Sequence, residues 1–210
     1  MTTISRRLVV AGLSGLGACM SAGAGTASAA AAGDPFDFSQ SLDGWETVAG
    51  DWAIEEVAEA SRKGRALVQR ATANEFNVIV APGGPYGNVV VSVRFRPMAG
   101  REDASGGIVF RFTDGRYYLV RANALEDNFR LYYYDGRRYM ITTATITAPA
   151  LGQWHRLQIS ANGNRIQGWL NDRVLIDQRD DRFAAGRVGL WTKADSITAF
   201  DDLTILTLDD

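Results

Sequence analysis

Cysteine is almost absent from this chain. The only one among its 210 residues is Cys19, which sits inside an N-terminal apolar run. A disulfide within the folded part is therefore excluded, and burial of apolar surface has to stabilise it. Histidine is equally scarce. His155, in "QWHRL", has no second histidine or cysteine at ligand spacing, which speaks against a zinc centre and for a structural role. No nucleophile elbow occurs, and "GGPYGN" lacks the following helix that a phosphate-binding loop needs. The net charge is −2, so nothing draws the chain in bulk toward nucleic acid or anionic lipid. Past residue 33 no apolar stretch is long enough to span a bilayer, and none keeps a 3.6-residue period long enough for a helix.

What is present begins with an address. "SRRLVV" places Arg6 and Arg7 directly before a short apolar run rich in Gly and Ala. That is the layout of a twin-arginine export signal. "ASA" (Ala27 to Ala29) offers small residues for cleavage, and "LGAC" ending at Cys19 resembles a lipobox. The expectation is residues 1–33 as signal and spacer, then residues 34–210 as one domain. Secretion is the first reading and a lipid anchor at Cys19 the alternative. A monomer is expected, with no membrane span and no nucleic-acid partner.

From Phe36 onward turn signals recur roughly every eight to twelve residues, among them "RKGR", "APGGPYGN", "TDGR", "YDGRR" and "ANGNR". Between them lie runs of alternating β-branched and aromatic residues. In "VVVSVRFR", Val89, Val91, Val93 and Phe95 share one side, and Ser92, Arg94 and Arg96 the other. Roughly a dozen such strands in one domain predict an all-β jelly-roll sandwich of two antiparallel sheets.

One hairpin can be worked out further. "GGIVFRFTDGRYYLVRAN" folds about "TDG". A two-residue Asp-Gly turn would set Arg121 among Phe110 and Phe112, a costly place for an unpaired charge. A three-residue loop of Thr113, Asp114 and Gly115 pairs Arg111 with Tyr117 instead. Ile108, Phe110, Tyr118 and Val120 then share the core side, and Arg111, Tyr117 and Arg121 the other. Entry and exit of an antiparallel pair lie at one end, so Glu102 and Asp103 should meet Glu126, Asp127 and Asn128.

"GREDASGGIVFR", "YYLVRANALEDN" and "GLWTKADSITAFDD", with "GQWHRLQISANGNRIQGWLND" between them, resemble bacterial exported domains of the concanavalin A-like lectin/glucanase superfamily. Within it, the chain resembles the laminin-G-like and 3-keto-disaccharide hydrolase domain groups. The resemblance implies a jelly roll, with sugars commonly held on its concave sheet. Laminarinase-type members carry Glu-x-Asp-x-x-Glu along one strand, and this chain has no such spacing. An oligo- or polysaccharide-binding module without catalysis is therefore expected. A glycoside-processing enzyme acting on 3-keto sugars, or a cell-surface adhesion module, is the alternative.

The expected ligand-binding set is Arg111, Arg121, Trp191 and Lys193, bordered by Glu102, Asp103 and Asp195. Arginine forks serve sugar hydroxyls and aromatic rings stack on pyranose faces. Strand alternation sends Trp191 and Lys193 outward if Val188 and Leu190 are core. Arg94, Arg96 and Tyr117 belong to the same class of non-core residues. No cofactor is expected; calcium is the ion the acidic end would take if it took one, since it favours oxygen ligands. Trp154, Phe110, Leu190 and Phe200 are expected in the core.

Overall fold

The computed structural model describes Phe36, Phe38 and residues 41–61 and 63–208. Arg6, Arg7, Cys19 and the Ala27–Ala29 site lie outside the described residues. Among the described residues all fourteen regular elements are strands, and every pairing between them is antiparallel. The expected jelly-roll sandwich is what forms.

The front sheet has the order β1 (Glu46–Ala49), β4 (Phe76–Val80), β13 (Arg187–Lys193), β6 (Ser105–Thr113), β7 (Arg116–Asn123), β8 (Glu126–Asp135), β9 (Arg137–Thr145). The back sheet runs β12 (Arg173–Arg179), β11 (Arg165–Leu170), β10 (His155–Asn162), β5 (Val89–Ala99), β14 (Ile197–Thr207), β3 (Arg65–Gln69), β2 (Trp52–Glu56).

Alternation decides what each strand buries. On β5, Val89, Val91, Val93 and Phe95 enter the space between the sheets, opposite Ile108, Phe110, Tyr118 and Val120 of the hairpin. Phe129, Leu131, Leu190, Phe200 and Leu203 complete that core. The complementary positions of the front sheet form a second apolar cluster on its outer side: Val78, Val80, Val109, Tyr117, Leu119, Tyr132 and Trp191. The back sheet's outer side holds only a small one, built on Val57, Ala66, Val68 and Ala199.

The β6–β7 hairpin keeps the expected pairing in its body but not at its tip. Phe110 faces Tyr118 and Ile108 faces Val120, whereas Thr113 faces Arg116 across the two-residue turn Asp114–Gly115. Both turn residues have positive φ, as a type I′ turn requires. The two registers are reconciled by a β-bulge between Phe110 and Thr113, where Arg111 adopts φ 51°. The bulge reverses the direction expected for Arg111. Its guanidinium is buried and donates to the carbonyl oxygens of Gly87 (2.9 Å), Phe183 (2.8 Å) and Gly163 (2.7 Å), binding the sandwich's connections together.

Trp154 is the other departure from the expected core. It lies half-buried on the back sheet's outer side, with Nε1–H donating to Ala58 O at 3.1 Å and the Arg94 guanidinium 4.6 Å above its ring. His155 bridges locally, to Ala150 O and Asn171, as a structural residue does.

Candidate functional site on the front face

Three strands bring the expected residues together. Trp191 on β13 faces Gly107 on β6, and Gly107 faces Arg121 on β7. Trp191 and Arg121 thus lie in one sheet, on strands separated only by β6. Gly107 lets the neighbouring strands' side chains close over it: a Cβ would come within 2.7 Å of Leu119 Cδ1, 3.0 Å of Val120 O and 3.2 Å of Arg121 Cβ, and Leu119 would have to move.

Trp191 is on the expected side but is not exposed. Its exposure is 0%, because other side chains lie over it. Phe76 packs against the ring with centroids 5.6 Å apart, and the Arg138 guanidinium sits 5.7 Å from its centroid. Trp191 is thus the floor of the face rather than a stacking platform in solvent.

Above that floor the aromatic residues continue outward. Tyr117 and Tyr134 stack at 5.0 Å with planes 7° apart, Phe112 stacks on Tyr117, and Phe76 meets Tyr134 edge-on. These four rings, with Val48, Val78, Asn74 and Glu75, line a groove of about 590 Å³ on the outer face. Burial, together with the neighbouring Tyr134, pushes the Tyr117 hydroxyl well above its usual range, so it stays protonated.

Beside the groove lies a polar centre built around Tyr132. Its hydroxyl accepts from Arg130 Nη1 at 3.2 Å and Arg121 Nη2 at 3.4 Å, and Arg138 lies 4.5 Å above its ring. Arg121 is only 2% exposed. Glu126 accepts from Arg121 Nη2 at 2.7 Å and Asn128 Nδ2 at 2.9 Å, with Arg130 at 3.7 Å. Burial alone would raise the Glu126 carboxyl, but these hydrogen bonds and the charges of Arg121 and Arg130 hold it below the ordinary range.

Arg138 has no ion pair among the described residues. It is held over the rings of Phe76, Tyr132 and Trp191. Through Phe76 it joins the polar centre to the groove.

The remaining expected residues form the border. Lys193 pairs with Glu102 at 3.4 Å and lies 3.8 Å from Asp103. Asp103 is buried and accepts from Ser196 Oγ at 3.1 Å. Desolvation raises its carboxyl against the pull of Ser105, Arg121 and Lys193. Asp195 is committed to the backbone. Its carboxylate accepts from the N–H groups of Arg101 (2.7 Å), Glu102 (3.0 Å) and Asp103 (3.0 Å), which fixes that loop.

The two loops of the acidic end meet where Ala124 N donates to Ala104 O at 3.0 Å, but their carboxylates are divided among separate partners. Asp127 accepts from Ala148 N at 3.3 Å. Among the described residues no group of three His, Cys, Asp or Glu side chains is arranged to hold a metal ion.

Arg111 is absent from this face, for the reason given by the bulge, and Arg94 and Arg96 belong to the back sheet. Phe76, Tyr132, Tyr134, Arg130 and Arg138 were not singled out from the sequence. The signal for three of them was there: Arg130, Tyr132 and Tyr134 alternate along β8 from Tyr117 and Arg121's own neighbours.

The architecture is that of the concanavalin A-like jelly rolls. Within it, a family model describing the 3-keto-alpha-glucoside-1,2-lyase-like domain matches residues 33–206. The chain belongs to that family. It is 25% identical over 175 residues to a levanase of Bacillus subtilis (strain 168), covering 80% of this chain but only 23% of that protein. Among solved structures it is similar to the carbohydrate binding module CBM66 from Bacillus subtilis. The TM-score is 0.67 and the identity 22%, over 79% of this chain and 97% of the module. A Bacillus licheniformis beta-glucanase matches at TM-score 0.56 and 12% identity, over 84% of this chain and 97% of the other.

Proposed function

We propose that this chain is an exported, monomeric carbohydrate-binding module whose glycan lies on the outer face of the front sheet. The observation that carries this reading is the groove lined by Phe76, Phe112, Tyr117 and Tyr134 beside the Tyr132-centred arginines. Rings supply C–H stacking surface for pyranose or furanose faces, and guanidinium forks supply donors for hydroxyls. The resemblance to a levanase segment and to a carbohydrate binding module supports the same class of partner. Binding of the full chain to an array of plant and microbial glycans is the test. Saturable binding to a defined saccharide is expected, and silence across neutral and acidic glycans would overturn the reading.

Export rests on Arg6 and Arg7, with release after Ala29 or lipid attachment at Cys19 as the two endings. An Arg6→Lys, Arg7→Lys double variant should stay inside the cell; unchanged export would reject the twin-arginine route.

A second reading, action on a modified sugar, is favoured by the family match and by Asp103, whose buried carboxyl is raised. Turnover of a 3-keto-glucoside that disappears in Asp103→Asn would establish it, and absence of turnover in the wild-type chain would dismiss it.

A further inference from the structure

Among the described residues, the buried side-chain atoms without a hydrogen-bond partner all belong to one region. They are Arg121 Nε and Nη1, Asn123 Nδ2, Asn128 Oδ1, Arg130 Nε, Arg138 Nη1 and Trp191 Nε1. Every one lies on β7, β8, β9 or β13 of the front sheet. Folded proteins satisfy nearly all buried polar groups, so a local concentration of empty ones marks a place prepared for something else.

The kind of atom is informative. All but Asn128 Oδ1 are N–H donors, and most sit on guanidinium groups. Three arginines converge on Tyr132, and only one carboxylate, Glu126, bonds to any of them. Glu126 spends one oxygen on Arg121 and Asn128 together. Asp103 and Glu102 are nearby but are engaged by Ser196 and Lys193. Arg138 has no acid among the described residues and lies over Phe76, which also lines the aromatic groove.

From this surplus of fixed donors over acceptors we propose that the front face prefers glycans bearing a carboxylate, such as uronic-acid residues. The sugar ring lies in the aromatic groove, and its carboxylate reaches the Arg138–Arg130 side of the Tyr132 centre. This rests on the reading of the face as a glycan site. A carboxylate offers acceptor lone pairs on both oxygens and no donor, which is the complement of the centre. A neutral hydroxyl carries no charge and brings an O–H donor of its own, and so satisfies the centre less well.

The test is calorimetric titration of the full chain with matched pairs: trigalacturonate against its fully methyl-esterified form, and glucuronate against glucose. Charge-assisted hydrogen bonds to guanidinium favour the acid of each pair by about tenfold or more. Raised salt should narrow that margin. Arg138→Met keeps the packing over the rings, and Arg130→Gln keeps a donor to Tyr132. Both side chains are half-buried, so both variants are expected to fold. Each should lower affinity for the acid by a larger factor than for its neutral counterpart, so that the margin between the two closes. Equal affinity for acid and ester, with the ester still bound, would overturn the carboxylate preference and leave the glycan site standing. A preference for the acid that survives both substitutions would place recognition elsewhere and overturn it too. If neither member of any pair nor any arrayed glycan binds, both readings fall.

Discussion

The two outer faces of the sandwich carry the same kinds of residue and use them differently. On the back sheet, Arg94 lies over Trp154, pairs with Asp201 (3.3 Å) and Asp202 (3.4 Å), and donates to Glu59 O. Asp201 is also held by Ser61, through its N–H at 2.6 Å and its hydroxyl at 3.0 Å. Trp154 Nε1 and Arg96 Nη1 both donate to Ala58 O. On the front sheet, arginines again lie over aromatic rings, yet Arg121, Arg130, Arg138 and Trp191 all retain buried N–H groups with no partner. An arginine over a tryptophan therefore does not by itself define a site. What separates a structural clamp from a binding surface is whether the donors are already spent.

The largest expected effect comes from the front floor. Trp191→Ala should destabilise the fold by about 3–5 kcal/mol, from lost burial plus the cavity left under Phe76 and Arg138. Thermal or urea denaturation checks this. That loss is a large share of the roughly 5–15 kcal/mol typical of a domain. An unchanged melting temperature would show that Trp191 is not the floor.

Next is the back clamp. Arg94→Met leaves Asp201 buried with Ser61 but no cation, and should cost about 2 kcal/mol while glycan affinity stays unchanged.

Arg121→Met sharpens the contrast. Removing its guanidinium takes from Glu126 its 2.7 Å partner and should cost about 1–2 kcal/mol. Glycan binding should be lost as well. A clamp loses stability alone, so urea melts and titrations on the same pair of variants separate the two roles.

The smallest effect is a pH dependence. Glu126 has its carboxyl held below the ordinary range in the folded state. Its contribution to stability is present above the unfolded value near 4.3 and is lost as pH falls through the lower folded value. Glu126→Gln should therefore lower stability slightly at neutral pH and flatten the acid side of the stability profile. Unfolding midpoints recorded across pH 2 to 7 would show a steeper acid side if the sign is wrong.

Strand alternation was enough to place most of this from the sequence. It separated Val89, Val91, Val93 and Phe95 from Arg94 and Arg96, and it put Tyr117 with Arg121, and Trp191 with Lys193, on non-core sides that the fold then joins in one sheet. It failed where a single residue breaks the period. The bulge at Arg111 adds one residue between Phe110 and Thr113 and sends that side chain into the carbonyls of Gly87, Gly163 and Phe183.

Alternation also states a side but not what covers it. Trp154 and Trp191 exchange their expected burial for that reason. Phe76 and Arg138 reach over Trp191 from strands distant in sequence, whereas the small apolar cluster of the back face leaves Trp154 half-open. Which arginines were already spent could not be read from residue types. Arg94 and Arg121 differ only in the partners that the fold delivers to them.

The most direct measurement sets one ring from each outer face against the other. Tyr134 on the front and Trp154 on the back are both half-buried, and both belong to an arginine-bearing surface. Glycan-array binding should be measured for the full chain, for Tyr134→Ala and for Trp154→Ala, after circular dichroism confirms that all three are folded. Tyr134→Ala should lose binding by at least about tenfold, the loss of one good stacking contact, while Trp154→Ala should bind as the parent does. Binding retained in Tyr134→Ala and lost in Trp154→Ala would contradict this and move the glycan to the back sheet.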